Sequence, residues 1–243
     1  MKKLLVLTAV VCMLLPMSCK KDNGNKKTES NKYNGHEFVD LGLPSGLKWA
    51  ACNLGAATPE EFGDYYAWGE TEPYYNGDSR AKEADWKAGK ESGYMWNSYK
   101  WSDNSGVEFS KYVSDSDNDN IVLEESDDAA RATLGSHWRI PTLADWQELK
   151  DKCTWAWITL SEVEGYEVTS KTTGVSIFLP ASCHRYGKQI YDYGDYAGSG
   201  MYWTSNLVPN RTDYAYSWRM EDGQNGLGTT FRFYGYTIRA VAE

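Results

Sequence analysis

The chain has 243 residues and a formal net charge of −9, and it is rich in tryptophan and tyrosine relative to phenylalanine. Residues 33–243 carry 18 basic and 32 acidic side chains, which gives this region a net charge of −14. So acidic a domain is a poor partner for phosphate backbones, which argues against nucleic-acid binding, while its length is ample for one hydrophobic core.

The amino terminus has the pattern of a secretion signal. Two lysines precede an apolar run at residues 4–17, which is too short to span a bilayer as a mature helix. A small residue then precedes Cys19, which is similar to a bacterial lipoprotein signal and implies cleavage after residue 18 and lipid attachment at Cys19. The alternative is an ordinary secretory peptide with an incidental cysteine. Residues 20–32 lack apolar periodicity, so residues 19–32 are interpreted as the lipidated cysteine and a disordered tether.

Short strands and long loops are predicted next. Residues 36–54 have the alternation of a β-hairpin around the turn Pro44-Ser45-Gly46. Residues 63–69 predict another strand, with Tyr66 and Trp68 on one face and Tyr65 on the other. Residues 72–113 are polar, aromatic and interrupted by glycines, which predicts a functional or self-packed loop region.

Two short helices are predicted around a tryptophan-rich corner at residues 126–155. Ser126 is a preferred N-cap, and Gly135 is a typical stop for the first helix. Thr142 and Asp145 have the spacing of a capping box for the second helix. One face of that helix carries Leu143, Trp146, Leu149 and Cys153.

The remainder predicts strands and turns. Residues 165–169 and 175–179 flank a turn and predict a hairpin. Three more strands are predicted at 201–205, 213–219 and 229–241, with separators that contain Asp222-Gly223 and Asn225-Gly226.

Six motifs in order resemble one family. They are HEFVDLGLPSGLKWAACNLGA at 36–56, FGDYYAWGETEP at 62–73, the WRIPT corner with its Asp-Trp helix, SIFLPAS at 176–182, GMYWTSNL at 200–207 and YGYTIRAVAE at 234–243. Together they resemble the Fibrobacter succinogenes major paralogous domain, a family of surface lipoproteins in gut Bacteroidetes related to formylglycine-generating enzymes. The short Lys-Lys-Asp run after Cys19 is also similar to the surface-export signals of such lipoproteins.

This resemblance implies an α+β domain of C-type-lectin-like fold over residues 33–243. Such a fold has two short helices, antiparallel strands, paired terminal strands and long loops. We therefore expect the strand at 37–41 to lie beside the strand at 236–242.

The chain lacks the residues by which related enzymes act. Nothing after Cys183 is cysteine, whereas formylglycine-generating enzymes use a cysteine pair near the carboxyl end of the domain. The related iron-dependent enzymes need clustered histidines, but His36, His137 and His184 are far apart in sequence. Residues 33–243 contain three cysteines, which are expected to be buried free thiols, with one bridge between Cys52 and Cys153 as the alternative. We therefore predict a protein that is not an enzyme and needs no cofactor.

The carboxyl-terminal third holds the predicted ligand-binding residues. Rigid aromatic rings and arginine provide contact area with few rotors to order. Because alternate strand residues point to opposite faces, about half of the aromatic residues there must be core, and Trp203 and Trp218 are expected to be buried. The candidate residues are Tyr202, Tyr214, Tyr216, Arg219, Arg232 and Tyr234, with Tyr214, Tyr216, Arg219 and Arg232 the preferred surface residues.

These patterns favour a lipid-anchored ligand-binding module at the outer membrane or cell surface, which recognises a glycan or a protein of the envelope or host. It would contact the membrane through its anchor only. One alternative is a structural or adhesion subunit that docks on another envelope protein. Another is a divergent enzyme on the formylglycine-generating-enzyme scaffold.

A calcium site is the alternative interpretation of one acidic run. Asp115, Asp117 and Asp119 alternate as carboxylates do in calcium loops, and nearby acids up to Asp128 would add oxygens. The sixth position is Asn120 where such loops have glycine, so a solvated acidic turn is favoured.

We expect calorimetric titration with millimolar calcium to show no heat and no increase in melting temperature. A saturable heat signal that Asp117→Asn removes would establish the calcium site instead.

Overall fold

Antiparallel sheets make up most of the structure, and two short α-helices interrupt them, as the α+β prediction requires. The computed structural model describes residues 31–77, 85–114, 121–191 and 198–243. The predicted signal peptide, Cys19 and most of the predicted tether lie outside the described residues. Residues 31–243 form a compact unit whose first strand begins at Lys32, the last residue of the predicted tether.

The described part of the chain contains fifteen strands, and both α-helices lie near the middle of the sequence. The helices are α1 (Ala129–Leu134) and α2 (Leu143–Lys152). The strands are β1 (Lys32–Tyr33), β2 (His36–Val39), β3 (Lys48–Ala50), β4 (Tyr75–Asn76), β5 (Asp85–Trp86), β6 (Trp138–Arg139), β7 (Cys153–Leu160), β8 (Val163–Ser170), β9 (Ser176–Pro180), β10 (His184–Tyr186), β11 (Gln189–Tyr191), β12 (Gly200–Val208), β13 (Arg211–Glu221), β14 (Gln224–Phe231) and β15 (Val241–Ala242).

The first helix begins later than predicted. Residues Glu125–Asp127 form a 3-10 turn, so the N-cap of α1 is Asp128 and the prediction of Ser126 is wrong. The Asp128 carboxylate accepts hydrogen bonds from the backbone N–H of Arg131 at 3.0 Å and of Ile140 at 2.8 Å. Its two oxygens therefore cap the helix and hold the segment after β6 at the same time.

The other predicted helix ends are confirmed. Gly135 is the C-cap of α1. Thr142 and Asp145 form a capping box at the start of α2, in which each side chain accepts a hydrogen bond from the backbone N–H of the other residue.

The carboxyl-terminal strand enters the first sheet beside β3. The sheet has the order β1-β2-β3-β15-β6, and Val241 pairs with Trp49 and with Arg139. The expectation that the 37–41 strand lies directly beside the 236–242 strand is therefore wrong. The predicted hairpin pairs β2 with one edge of β3, which leaves only the opposite edge of β3 for β15.

Strands β7, β8 and β9 form a meander after α2. The predicted hairpin is confirmed as β8 and β9. Helical spacing had placed Cys153 on α2, but this residue is the first of β7. Ser161 and Glu162 connect β7 to β8 with φ values of 48° and 69°, as a two-residue hairpin turn of type I′ requires.

The carboxyl-terminal sheet is the meander β12-β13-β14. The predicted strands at 201–205 and 213–219 are confirmed, and the turn lies at Asp222-Gly223. The limits of the predicted third strand are wrong, because β14 ends at Phe231 and Asn225-Gly226 lies inside it. Residues 63–69 contribute one bridge, from Tyr66 to Tyr236, where a strand was predicted.

The predicted loop region at 72–113 packs around aromatic side chains of its own. Tyr74, Tyr94 and Tyr99 are buried there together with Tyr65 and Phe233. The rings of Tyr74 and Tyr94 stack with their centroids 4.4 Å apart. In its described ranges, 72–77 and 85–113, the region is thus self-packed, as predicted.

Trp146 of α2 lies at the centre of a tryptophan cluster. Its ring is 4.9 Å from that of Trp49 and 5.5 Å from that of Trp218. Trp203, which packs in the neighbouring core, is 1% exposed and Trp218 is 2% exposed, which confirms that both are buried.

The three cysteines of this unit are free thiols, and the alternative bridge between Cys52 and Cys153 is not formed. Cys153 and Cys183 are buried as predicted, whereas Cys52 is half-buried. His36 and His137 are exposed, and His184 is buried.

Arg239 is completely buried and has no carboxylate partner among the described residues. Its guanidinium donates to Asn53 Oδ1 at 2.9 Å, to the carbonyls of Ala50 and Ala51 at 3.1 and 2.9 Å, and to the carbonyl of Phe178 at 2.8 Å. Burial lowers the pKa of Arg239. These bonds fasten the segment after β3 to β9.

Arg239→Met should lower the free energy of unfolding of residues 31–243 by about 3–5 kcal/mol, because three buried acceptors and the half-buried Ala51 carbonyl lose their donor. Urea unfolding followed by tryptophan fluorescence measures the loss. Arg211→Met is the control, since Arg211 is exposed and its replacement should cost no more than about 0.5 kcal/mol. Equal stability of the two variants would contradict the role of Arg239.

Candidate ligand-binding surface

The six candidate residues divide into a buried and a half-exposed group. Tyr202 and Arg232 are both 0% exposed, so neither can contact a ligand from this position, and the expectation that Arg232 lies on the surface is wrong. Tyr214, Tyr216, Arg219 and Tyr234 are half-exposed.

Tyr202 is buried because both faces of β12 are covered, and its neighbour Trp203, on the opposite face, is buried as well. The phenol donates to the carbonyl of Pro180 at 2.7 Å, and the ring centroid lies 5.6 Å from that of Trp146. Burial, the largest cause, raises the pKa of Tyr202 to about 12.

Arg232 is buried because β14 ends one residue before it and the chain turns inward. Its guanidinium donates to the Tyr99 hydroxyl at 2.9 Å and to the carbonyls of Thr212 at 2.9 Å, Tyr112 at 3.2 Å and Lys111 at 3.2 Å. Strand alternation alone could not predict this, because the alternation stops at Phe231.

Arg219 lines a groove at the turn between β13 and β14. This hairpin-end groove has a volume of about 260 Å³ and is lined by Arg219, Glu221, Gln224, Asn225, Gly226 and Leu227. Arg219 and Glu221 lie two residues apart on one face of β13, and the guanidinium is 3.4 Å from the carboxylate. Gln224 donates a hydrogen bond to the same carboxylate. Guanidinium, carboxylate and amide groups thus meet at one place, beside Leu227, which is 55% exposed.

A row of half-exposed rings forms a second feature, the aromatic strip. It consists of Tyr214, Phe231, Tyr234, Tyr186 and Tyr191. Ring centroids along the row are 4.5 Å apart from Tyr214 to Phe231, 6.4 Å from Phe231 to Tyr234, 5.4 Å from Tyr234 to Tyr186 and 5.6 Å from Tyr186 to Tyr191. Two of the predicted residues, Tyr214 and Tyr234, therefore belong to one continuous surface.

His184 shows that the groove and the strip are neighbours. Its ring lies 5.4 Å from the ring of Tyr191 and 5.3 Å from that of Tyr234. Burial, and secondly the positive charge of Arg219, lower the pKa of His184 to about 4. Arg219 pairs with Met201 of β12, and the neighbouring Gly200 forms a bridge to Cys183, the residue before His184, so Arg219 of the groove lies near the end of the aromatic strip.

Tyr216 shares a strand face with Tyr214 but makes no ring contact with the strip within the described part of the chain. Its carbonyl accepts a hydrogen bond from the Thr204 hydroxyl at 3.0 Å. Tyr216 is thus exposed enough to contact a ligand yet separate from the strip.

The calcium candidates Asp115, Asp117 and Asp119 lie outside the described residues. Two of the acids proposed to add calcium ligands, Asp127 and Asp128, already accept hydrogen bonds from protein groups. Asp127 accepts from Lys111 at 2.5 Å and from the Tyr112 hydroxyl at 2.6 Å, and Asp128 caps α1. In the ranges that the structure describes, no group of three acidic, histidine or cysteine side chains is arranged to hold a metal.

Sequence patterns missed several members of this surface. Tyr186, Tyr191, His184 and Phe231 come from β10, β11 and β14, whose association no local pattern indicates. The Asp222-Gly223 turn could have predicted part of the groove, since a turn there places Glu221 and Gln224 beside each other at the end of a hairpin.

Comparison with protein-family models, curated proteins and solved structures found no match to this chain.

Lowering the pH from 7.5 to 5.0 should destabilise the protein through His184. The unfolded imidazole takes up a proton below a pKa of about 6.5, whereas the folded one does so only near 4, so stability falls as the pH falls through this window. At pH 5.0 the loss amounts to about 2 kcal/mol.

Between pH 7.5 and 5.0, the free energy of unfolding of the His184→Phe variant should fall by about 2 kcal/mol less than that of the wild type. Urea unfolding at both pH values measures this difference. The exposed His137 provides the control, and His137→Phe should keep the wild-type pH dependence. Parallel pH profiles for all three proteins would show that His184 does not titrate as expected.

Proposed function

We propose that this chain is a non-catalytic ligand-binding module of the cell envelope, with a C-type-lectin-like fold. Two short helices beside antiparallel sheets support that fold. So does the arrangement of the terminal strands, because β2 and β15 lie in one sheet, on either side of β3. The long self-packed region between β3 and α1 fits the same fold.

The observation that carries the binding function is the position of Arg219. This residue lines the hairpin-end groove and lies one strand away from the segment that carries His184, whose ring touches two tyrosines of the aromatic strip. Half-exposed rings next to a group of planar donors and acceptors suit a glycan, because sugar rings present C–H faces and pairs of hydroxyls. The same residue types also suit a protein ligand.

The proposed site is rigid. Tyr214 packs on Phe231, and Arg211 lies 4.0 Å above the centre of the Tyr214 ring. Glu221 holds both Arg219 and Gln224. Side chains that are already ordered lose little conformational entropy when a ligand binds, which favours recognition without a change of shape.

The proposed location is the outer membrane or cell surface, through a lipid on Cys19. The support for this is the sequence pattern at residues 1–19. Within the described ranges, the structure contains no helix with the length and apolar character needed to cross a membrane.

A structural or adhesion role is the second candidate. The aromatic strip favours it, since its five half-exposed rings form a contiguous apolar surface that a protein partner can cover. In that case the partner is another envelope protein.

Residues 31–243 should bind to a member of a glycan and envelope-protein array, and the bound molecule should be recovered unchanged. Tyr214→Ala and Arg219→Ala should each weaken binding at least about tenfold, because rings and guanidinium groups dominate such contacts. Titration calorimetry measures the affinity, and thermal melting checks the fold.

Arg131→Ala is the matched control, because Arg131 is half-exposed on α1 and belongs to neither the groove nor the strip. Binding that survives both site variants would place the ligand elsewhere. Chemical conversion of the bound molecule would show that the protein is an enzyme.

A further inference from the structure

The outer edge of β7 lacks the features that normally protect an edge strand. β7 is the end strand of the sheet β7-β8-β9. Its eight residues, CTWAWITL, include no charged residue, proline or glycine, and its pairing with β8 is continuous over the whole length. Edge strands of monomeric proteins usually carry a lysine, a proline or a bulge that prevents pairing with another chain.

The hydrogen-bonding groups on this edge can be assigned from β8. The N–H of Ser170 donates to the carbonyl of Val175, on the β9 side. The backbone N–H and C=O groups of even-numbered β8 residues therefore point toward β9, and those of odd-numbered residues point toward β7. The partners of the odd-numbered residues are 154, 156, 158 and 160. The backbone groups of Trp155, Trp157 and Thr159 therefore point outward.

These outward groups are accessible. Within the described residues, no hydrogen bond reaches the outer side of Trp155, Trp157 or Thr159. Thr159 and Ala156 are exposed, and the two tryptophans are half-buried. An uncharged, accessible edge rich in aromatic and β-branched residues is suited to pair with another strand.

The charges at the two ends of β7 indicate which strand fits. Lys152 and Lys171 lie at its beginning, Glu162 and Glu164 lie at its end, and all four are exposed. A second copy of β7 in antiparallel orientation would place the acidic end of each strand beside the basic end of the other. The edge is thus complementary to itself.

We propose that two copies of this chain associate through β7, antiparallel and about a two-fold axis at Trp157. Outward-pointing residues must face each other, so Trp157 pairs with its own copy and Trp155 pairs with Thr159 of the second copy. In the same register, Lys152 of one copy lies opposite Glu162 of the second copy. The three outward pairs exchange two hydrogen bonds each, and the two sheets become one of six strands.

This association does not depend on the proposed ligand. It does bear on it, because a dimer carries two ligand-binding surfaces and gains avidity for a repeating ligand.

Sedimentation velocity of residues 31–243 over a range of concentrations should show a monomer–dimer equilibrium. Thr159→Pro removes one outward N–H from each chain without touching the pairing with β8, and it should weaken the dimer at least about tenfold. Val175→Pro is not a suitable control because proline would remove the Val175 N–H, which donates to the Thr173 hydroxyl at 3.3 Å, so Val175→Lys is compared with Ala156→Lys. Val175 is 42% exposed and lies at the turn between β8 and β9, away from the β7 edge. Only Ala156→Lys should therefore weaken the dimer.

A charge exchange tests the register and needs no change within the strand. Lys152→Glu and Glu162→Lys should each weaken the dimer, and the double variant should restore it. Within one chain these residues lie at opposite ends of an eight-residue strand, so only a contact between two copies explains the rescue. A monomer at every concentration, or a dimer that none of these changes weakens, would overturn the proposal.

Discussion

The buried guanidinium of Arg239 connects parts of the chain that are far apart in sequence. It joins the segment after β3 to β9, while Arg232 joins the Lys111–Tyr112 segment to Thr212 and Tyr99. In both cases neutral oxygens accept the hydrogen bonds. A buried cation with four fixed acceptors tolerates little displacement, because every lost bond leaves a buried polar group unpaired. These two residues therefore fix the positions of the segments that they join.

That constraint also decides which residues remain for a ligand. Arg232 and Tyr202 are used inside the protein, so the surface depends on Arg219 and on rings that are only partly buried. His184 contacts two rings of the aromatic strip, and strand pairing places Arg219 of the groove near it; burial, and secondly the charge of Arg219, lower the pKa of His184. For the proposed binding function, such packed side chains mean that little reorganisation is needed when a ligand binds.

The acidity of the domain has different consequences at different surfaces. A net charge of −14 over residues 33–243 keeps most of the molecule from associating with itself. β7 is an exception, because it is uncharged and has lysines at one end and glutamates at the other. In the proposed antiparallel dimer, the lysine end of each β7 strand therefore meets the glutamate end of the other.

Local chemistry allowed much of this fold to be predicted from the sequence. The capping box at Thr142, the stop at Gly135 and the hairpins at Pro44-Ser45-Gly46 and Asp222-Gly223 each depend on residues within a few positions of one another. The burial of Trp203 and Trp218 was also predicted, but strand alternation does not decide it, because the neighbours Tyr202 and Trp203 point to opposite faces of β12 and both are buried. Which strand β15 joins, and whether an arginine such as Arg232 lies inside or outside, was decided by the tertiary structure alone. Those outcomes depend on acceptors and strand edges contributed by distant segments, and no local pattern encodes which distant segments meet.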